Sequence, residues 1–361
     1  MKQRWIRMGF VGVIFFVLGS ATYFGIYKKN SPTNDIVPIV QPAPSVVPFE
    51  VPQEIKNTDS FNVLLLGYGG AGHDGGYLTD VIMLIHFDFK KKSIGMISIP
   101  RDLWITLPNG KQNKINAAFI NEGAPEYPTK TVTLDEALAG ATKTKSVIET
   151  VTGLTPHFFI GIDFNSFSAL IDKLCGVDVE VVEAFEDSWY PIKGRELELC
   201  DHTPEEVTKL SNTLSGFELE KQFPCRYEKL QFKKGIAHMD GQTALKFVRS
   251  RHSSSDFARS IRQQAVLMGV KNKTLSSSIF KDPVGLFQSF QKLIQTNLTE
   301  NLIKNIVPLV TISNQYKVIQ VGLSTDNVLV DSRSSNGGAI LIPRGNDWGL
   351  IKNYITAQLE K

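Results

Sequence analysis

Phe61-Asn-Val-Leu-Leu-Leu-Gly-Tyr-Gly-Gly-Ala-Gly-His-Asp-Gly-Gly-Tyr-Leu-Thr-Asp-Val-Ile-Met-Leu-Ile-His-Phe87 is the stretch on which the fold turns. Two apolar runs, Asn62–Leu66 and Val81–Phe87, enclose a glycine-rich loop. Neither run alternates apolar with polar residues, which predicts strands covered on both faces. Runs of the same kind recur at Ile94–Ile99, Phe158–Ile162, Val177–Val182, Tyr316–Val321 and Ala339–Ile342. Helical patterns fall at Leu134–Thr152, Asn165–Leu174, Asp256–Val270, Val284–Thr296, Glu300–Val310 and Asp347–Leu359. Asp163, Asp240 and Asp256 stand where N-caps are needed. The pattern is that of an α/β protein. The expectation is an α/β/α layered domain with a central mixed sheet over residues 58–361, with a polar insertion over one edge at about 186–232.

Residues 8–27 carry no charge and are long enough to cross a bilayer. Lys2, Arg4 and Arg7 precede them, which favours a cytoplasmic N-terminus (1–7) and an extracytoplasmic remainder. One retained transmembrane anchor fits this length better than a cleaved signal peptide. Residues 28–57 are rich in proline and read as an extended stalk. The chain is 361 residues long, 42% apolar and 21% charged, as expected of a folded protein. A net charge of +3 argues against a general nucleic-acid binder. Cys175 reads as a small core residue, and no cysteine has zinc-ligand spacing. Cys200 and Cys225 flank a polar segment, and the sequence leaves open whether they pair.

Chemistry concentrates in Ala244-Leu-Lys-Phe-Val-Arg-Ser-Arg-His-Ser-Ser-Ser-Asp-Phe-Ala-Arg-Ser-Ile-Arg-Gln-Gln264, where Arg249, Arg251, Arg259 and Arg262 are interleaved with apolar residues. Arg249 and Arg251 share a face if that segment is extended. On a helix from Asp256, Arg259, Gln263, Val266, Leu267 and Val270 fall within an arc of about 100°. A stripe that buries its valines therefore carries an arginine and a glutamine inward. A buried guanidinium needs an anion, and its planar fork suits phosphate or carboxylate. Internal ion pairs with the chain's own acids would satisfy single arginines equally well.

The glycine loop is not a Walker loop, because no Gly-Lys-Ser/Thr follows, and no helix completes a dinucleotide fingerprint. Asp74 and Asp80 offer hard oxygen ligands for Mg²⁺, which binds through one or two carboxylates plus substrate phosphates. Pro100 ends an apolar strand and delivers Arg101 and Asp102 at its carboxyl end, where α/β sheets hold ligands. Lys114 and Asn116 follow within reach of the same edge. Apolar positions around Leu170–Leu174 and Val266–Val270 serve either as ordinary core or as a slot for a lipid tail.

Asn62-Val-Leu-Leu-Leu-Gly, Leu78-Thr-Asp-Val-Ile-Met-Leu, Ile97-Ser-Ile-Pro-Arg-Asp and Lys114-Ile-Asn-Ala-Ala-Phe occur in this order. They are followed by Ile162-Asp-Phe-Asn-Ser-Phe, Leu174-Cys-Gly-Val-Asp-Val, Gly241-Gln-Thr-Ala-Leu-Lys-Phe-Val-Arg-Ser-Arg-His and Asp256-Phe-Ala-Arg-Ser-Ile-Arg-Gln-Gln. This series, over about residues 60–270, resembles the LytR–CpsA–Psr family of bacterial envelope proteins. The resemblance implies a Mg²⁺-dependent phosphotransferase in the cell membrane. It would move an anionic glycopolymer from a polyprenyl-pyrophosphate carrier to peptidoglycan and form a phosphodiester. The family's functional positions map onto Asp80, Arg101, Arg249, Arg251, Arg259 and Gln263. Arg101, Arg249, Arg251 and Arg259 would grip the phosphates, with Gln263 beside them. Asp80, with Asp74, would hold the metal, and Asp102, Lys114, Asn116 and Arg262 would help bind substrate. Two positions depart from the family pattern. Gly69 stands where an aspartate is frequent, and Cys175 where glycine is usual. A polyprenyl-pyrophosphate phosphohydrolase would use the same phosphate clamp with water as acceptor. A non-catalytic binder or regulator of lipid-linked glycans would have no need of metal-holding carboxylates.

Overall fold

The computed structural model describes residues 42–49, 59–73, 75–120, 128–250, 256–276, 283–304 and 316–361. The N-terminus 1–7, the anchor 8–27 and most of the stalk 28–57 lie outside the described residues, as do Asp74 and Arg251. Among the described residues no helix is long and apolar enough to cross a membrane.

In chain order the strands are β1 (Ser60–Tyr68), β2 (Thr79–Asp88), β3 (Ser93–Ser98), β4 (Trp104–Thr106), β5 (Gln112–Lys114), β6 (Phe158–Asp163) and β7 (Val177–Val181). They continue with β8 (Phe185–Pro191), β9 (Tyr227–Phe232), β10 (Gly235–Met239), β11 (Gln295–Thr296), β12 (Lys317–Gly322), β13 (Leu329–Arg333) and β14 (Ala339–Pro343). The helices used below are α1 (Leu134–Thr152), α2 (Phe164–Lys173), α3 (Pro204–Thr213), α4 (Gly241–Arg249), α5 (Asp256–Ser276), α6 (Pro283–Gln291) and α7 (Trp348–Leu359).

Six strands form a mixed sheet in the order β11-β6-β1-β2-β3-β12. β1–β2 and β2–β3 are antiparallel, whereas β1–β6 and β3–β12 are parallel. Successive residues of each apolar run enter different cores. Val63, Met83 and Met96 face one core, with α2, α4, α5 and α6. Leu64, Leu84 and Ile97 face the other, with α1 and α7. The unbroken apolar pattern of the strands follows from this two-sided burial. α1 is started by a reciprocal capping box between Thr133 and Glu136 and ends at Gly153 in the left-handed region.

Three expectations change, and a fourth lies partly outside the described residues. The helix expected over Val284–Thr296 stops at Gln291, and Gln295–Thr296 becomes an edge strand antiparallel to β6. The Thr296 hydroxyl donates to the Phe159 carbonyl, and the Asn297 carboxamide oxygen accepts from the Phe159 amide, so side-chain bonds favour the extended form. The helix expected over Glu300–Val310 is described only to Lys304. Cys175 is exposed, not core: it follows α2 with φ 58°, the left-handed position where glycine is usual. Part of the expected stalk, residues 42–49, packs on the domain. Buried Lys145 donates to the carbonyls of Val47 and Pro48, and the Phe49 ring lies 5.6 Å from that of Phe159. The polar insertion folds as the β8–β9 hairpin with α3 between its strands, closed by a Cys200–Cys225 disulfide.

α2 and α4 meet at Gly241, where an added Cβ would collide with the Ser168 backbone. Ser168 Oγ donates to the Gly241 carbonyl at 3.2 Å, and Asp172 accepts from the Gly241 amide at 2.7 Å. Gly241→Ala should therefore cost about 1–3 kcal/mol, because backbone offers no rotamer that relieves the overlap. Urea unfolding of the folded domain measures this, and an unchanged midpoint would refute the close contact.

Candidate active site

β1, β3, β6 and β12 all end at the same edge of the sheet, and β2 begins there. This edge brings together the glycine loop, Thr79–Asp80, Asp163 and the turn Ile99-Pro100-Arg101. Within the loop, the Gly70 amide donates to Gly76 and the Gly72 amide to Pro128. These two amides are used inside the loop rather than presented to an anion. Gly70 has φ 79°, and a Cβ there would strike the Asp163 side chain. The glycines thus let the loop close over the end of β6.

Arg101 donates from Nη1 to Asp80 Oδ1 at 2.5 Å, and its Nε lies 3.4 Å from Asp102 Oδ2. Lys114 Nζ lies 2.5 Å from Asp102 Oδ1. Burial alone would raise the Asp102 pKa, but the Lys114 hydrogen bond and the charges of Arg101, Lys114 and Arg259 outweigh it and hold it below the usual range. Asn116 is buried, and its backbone ties the edge together. Its amide donates to the Arg101 carbonyl, and its own carbonyl accepts from the Thr79 hydroxyl. Asp102 and Lys114 therefore orient Arg101, while Asn116 holds the turn that carries it.

α5 presents the inward stripe expected of it. Val266 and Val270 are buried, and Arg259 is only 9% exposed. Arg259 and Gln263 stand between two cavities. The first, about 340 Å³, is walled mainly by apolar side chains, including Leu65, Ile160, Phe167, Leu170, Leu267 and Val270. Its charged lining residues are Asp80, Asp163, Asp187, Glu220, Arg249 and Arg259, and Gln263 joins them. The second, about 240 Å³, is a polar cleft between Arg101, Arg259 and the segment that follows β12. Asp80, Arg259 and Gln263 line both.

Arg249 is the last residue of α4, so it is helical rather than extended as its pairing with Arg251 had implied. Its guanidinium lies 4.2 Å from the Phe164 ring centroid and donates to the Tyr190 hydroxyl at 3.2 Å. Burial, reinforced by Arg249 and Lys193, pushes the nearby His73 below its usual pKa, favouring the neutral ring. Arg262 takes a different place from the one expected. It lines neither cavity and caps the carboxyl end of α4, donating to the carbonyls of Phe247 (2.9 Å) and Ser250 (2.5 Å). Burial and the charge of Arg259 push its pKa down to about 10, against the opposing pull of Asp187. Sequence reasoning missed the part played by the insertion. Asp187, Trp189 and Tyr190 of β8 line the apolar cavity, and buried Asp187 accepts from Ser250 Oγ at 2.6 Å. The run Trp189-Tyr-Pro191 was the available signal, an aromatic cluster in an otherwise polar segment. Asp163 was read only as a helix cap. It does accept from the Ser166 amide, and it also lines the cavity mouth. Among the described residues no group of three or more His, Cys, Asp or Glu side chains is placed to hold a metal.

The family model described as the LytR_cpsA_psr family matches residues 23–347. The chain belongs to that family. Family membership thus extends well beyond residue 270, into the segment that walls the polar cleft. Among similar proteins is the polyisoprenyl-teichoic acid–peptidoglycan teichoic acid transferase TagU of Bacillus cereus, 26% identical over 310 residues that cover 83% of this chain and 81% of the relative. The regulatory protein MsrR of Staphylococcus aureus is 24% identical over 306 residues, 83% of this chain and 76% of the relative. The crystal structure of TagV of B. subtilis shares the LytR–CpsA–Psr fold with a TM-score of 0.55 at 19% identity, covering 84% of this chain and 98% of that one. TagT bound to LI-WTA gives 0.53 at 20% identity, covering 90% and 100%.

The depressed pKa of Asp102 has a sign that can be checked. A carboxylate held below its unfolded value contributes stability above about pH 4, and this is lost as pH falls through the lower folded value. Asp102→Asn should cost about 1 kcal/mol near neutrality, as partly exposed pairs do, and almost nothing in strong acid. Urea unfolding of both proteins across this range measures the difference. A gap independent of pH would assign the loss to packing.

Proposed function

We propose that this chain is a membrane-anchored, extracytoplasmic phosphotransferase that moves an anionic glycopolymer from a polyprenyl-pyrophosphate carrier to peptidoglycan. One observation carries the proposal: an apolar cavity whose lining also includes Arg249 and Arg259, together with Gln263 and the carboxylates of Asp80, Asp163, Asp187 and Glu220. Lipid tail and pyrophosphate require that combination of environments. The names of the TagU relatives and of the wall-teichoic-acid-bound TagT structure support a glycopolymer carried on a lipid. The Cys200–Cys225 disulfide supports a location outside the reducing cytoplasm.

In this proposal Arg249 and Arg259 hold the phosphates, Arg101 adds charge from the adjoining cleft, and Gln263 orients an oxygen between them. Asp102 and Lys114 position Arg101. Arg251 lies outside the described residues and keeps its proposed part in the clamp on sequence grounds. The acceptor hydroxyl forms a bond to the phosphorus that bears the glycopolymer. The bond from that phosphorus to the bridging oxygen breaks, the electron pair leaves with polyprenyl phosphate, and the hydroxyl proton is lost to solvent. Charge neutralisation at the departing phosphate is the main service required of the protein.

Mg²⁺ belongs to the same proposal. Arg101 engages Oδ1 of Asp80, and a single carboxylate completed by substrate phosphates is a usual magnesium environment. Asp74, outside the described residues, would be the second ligand. When bound, the ion would neutralise phosphate charge.

Arg259→Ala should lower transfer of labelled polymer from a polyprenyl-pyrophosphate donor by about 100-fold or more, the usual loss for a transition-state donor. Undiminished turnover would refute its place in the clamp. Mass spectrometry of lipid retained by the detergent-extracted protein should find polyprenyl phosphates or pyrophosphates. Retained lipid without transfer or hydrolysis would instead favour a regulator, the role in the name of MsrR.

Magnesium affinity should be weak alone and rise in the presence of a polyprenyl-pyrophosphate analogue, because each ion offsets the other's charge. Asp80→Asn should abolish that rise in calorimetric titration. Equal metal affinity with and without the analogue in the unaltered protein would remove Mg²⁺ from the site.

A further inference from the structure

We infer that the polar cleft beyond Arg259 is the acceptor site, and that it binds an uncharged, hydroxyl-rich sugar against the segment Ser324–Asp331. The inference rests on the phosphotransferase proposal and extends it to a part of the chain that carries none of the residues considered so far. The two cavities share only Asp80, Arg259 and Gln263 among their lining residues, so the proposed phosphate position lies at their junction. In-line displacement at phosphorus requires the nucleophile to arrive opposite the leaving group. With the departing polyprenyl phosphate on the apolar side, the hydroxyl enters from the polar cleft.

The wall facing the arginines is built, not incidental. Asn327 fixes the turn after β12: its amide nitrogen donates to the Gly322 carbonyl at 2.9 Å and to Ser324 Oγ at 3.1 Å. Its oxygen accepts from the amides of Ser324 (2.9 Å) and Val328 (2.7 Å). Arg344 adds a bond to the Thr325 carbonyl at 2.9 Å, and the Leu329 amide closes onto the Ser324 carbonyl at 3.0 Å. Strand β14 ties this wall to the arginine wall, since the Leu341 amide donates to the Asp102 carbonyl at 3.0 Å. The turn thereby presents Ser324, Thr325 and Asp326 to the cleft, with Asp331 beside them on β13.

Charge selects the occupant. Asp326 and Asp331 line the same cleft as Asp80, Arg101 and Arg259, so a polyanionic glycopolymer would meet like charge from three carboxylates. A neutral sugar meets hydroxyl and carboxylate acceptors from the turn and guanidinium donors from the arginines.

The test uses the full chain in detergent, an uncharged N-acetylglucosamine tetrasaccharide as probe, and the paired substitution Asp326→Asn with Asp331→Asn. Calorimetry should show the tetrasaccharide binding the unaltered protein and the paired variant binding about tenfold more weakly, the loss expected from two weakened hydrogen bonds. The acceptor KM should rise in parallel, while retention of polyprenyl-pyrophosphate donor stays at the unaltered level. Thr325→Trp, a bulky change at an exposed position, should block the cleft in the same way. No binding by the unaltered protein, or equal binding by the variants, would overturn the acceptor site even if transfer itself is observed. Loss of donor retention in the paired variant would assign the cleft to the donor's glycan and also overturn it. Sugar binding that depends on these residues, without any transfer, would leave the cleft standing and refute the phosphotransferase.

Discussion

A guanidinium held nine-tenths buried at the junction of two cavities is the constraint around which the structure is arranged. Removing a cation from water is costly, and Arg262, its neighbour on α5, adds like charge. The fold spreads its fixed counter-charge widely. Asp102 acts on Arg259 from the β3 edge, and Asp187 acts on Arg262 from the insertion. Both carboxylates have other work, since Asp102 holds Arg101 and Lys114 and Asp187 holds Ser250. Arg101, Arg249 and Arg259 thus meet the two cavities alongside the carboxylates of Asp80 and Asp163, a mixed-charge edge.

The same constraint explains the close fit of α5. Gly269 lies where an added Cβ would come too near the Asp178 carbonyl, so the helix approaches β7 more closely than a side chain would permit. That approach seats Val266 and Val270 in the core and fixes the direction of Arg259 and Gln263 along the same stripe. Arg262 then anchors α5 to the end of α4, which carries Arg249. Two arginines from different helices keep a fixed spacing because a third, facing away from both cavities, ties their helices together.

Much of this was legible in the residues, for a physical reason. Two-sided burial leaves an unbroken apolar run, so the strands were plain, and a helical stripe mixing valine with arginine marked the inward face of α5. Arg262 was not legible as a cap. On the helical wheel it lies only about 60° from Arg259, and only tertiary structure shows two carbonyls within its reach. The insertion was opaque because its hairpin buries Asp187 and Tyr190 through pairing with distant strands and helices, without any period of its own. Gln295–Thr296 misled because apolar residues in a short segment fit helix and edge strand alike until the side-chain bonds of Thr296 and Asn297 are known. Glycine-rich loops can cradle anions, but in this one the Gly70 and Gly72 amides close the loop itself.

The two cores divide the labour of the domain. The layer under α1 and α7 receives the Phe49 segment, in which the Val47 and Pro48 carbonyls accept from the buried Lys145, and its Ile82, Ile99 and Leu323 line the polar cleft. The layer under α5 includes Ile160, Leu170, Val270 and Ile294, all of which also line the apolar cavity. An apolar void of this size forgoes packing on the order of several kcal/mol, by the cost found for cavities in other proteins. A domain with a single core would carry that deficit at its centre. Here the apolar cavity lies mainly against one layer and the polar cleft borders the other, and the sheet between them brings Arg101 and Asp80 together at its edge.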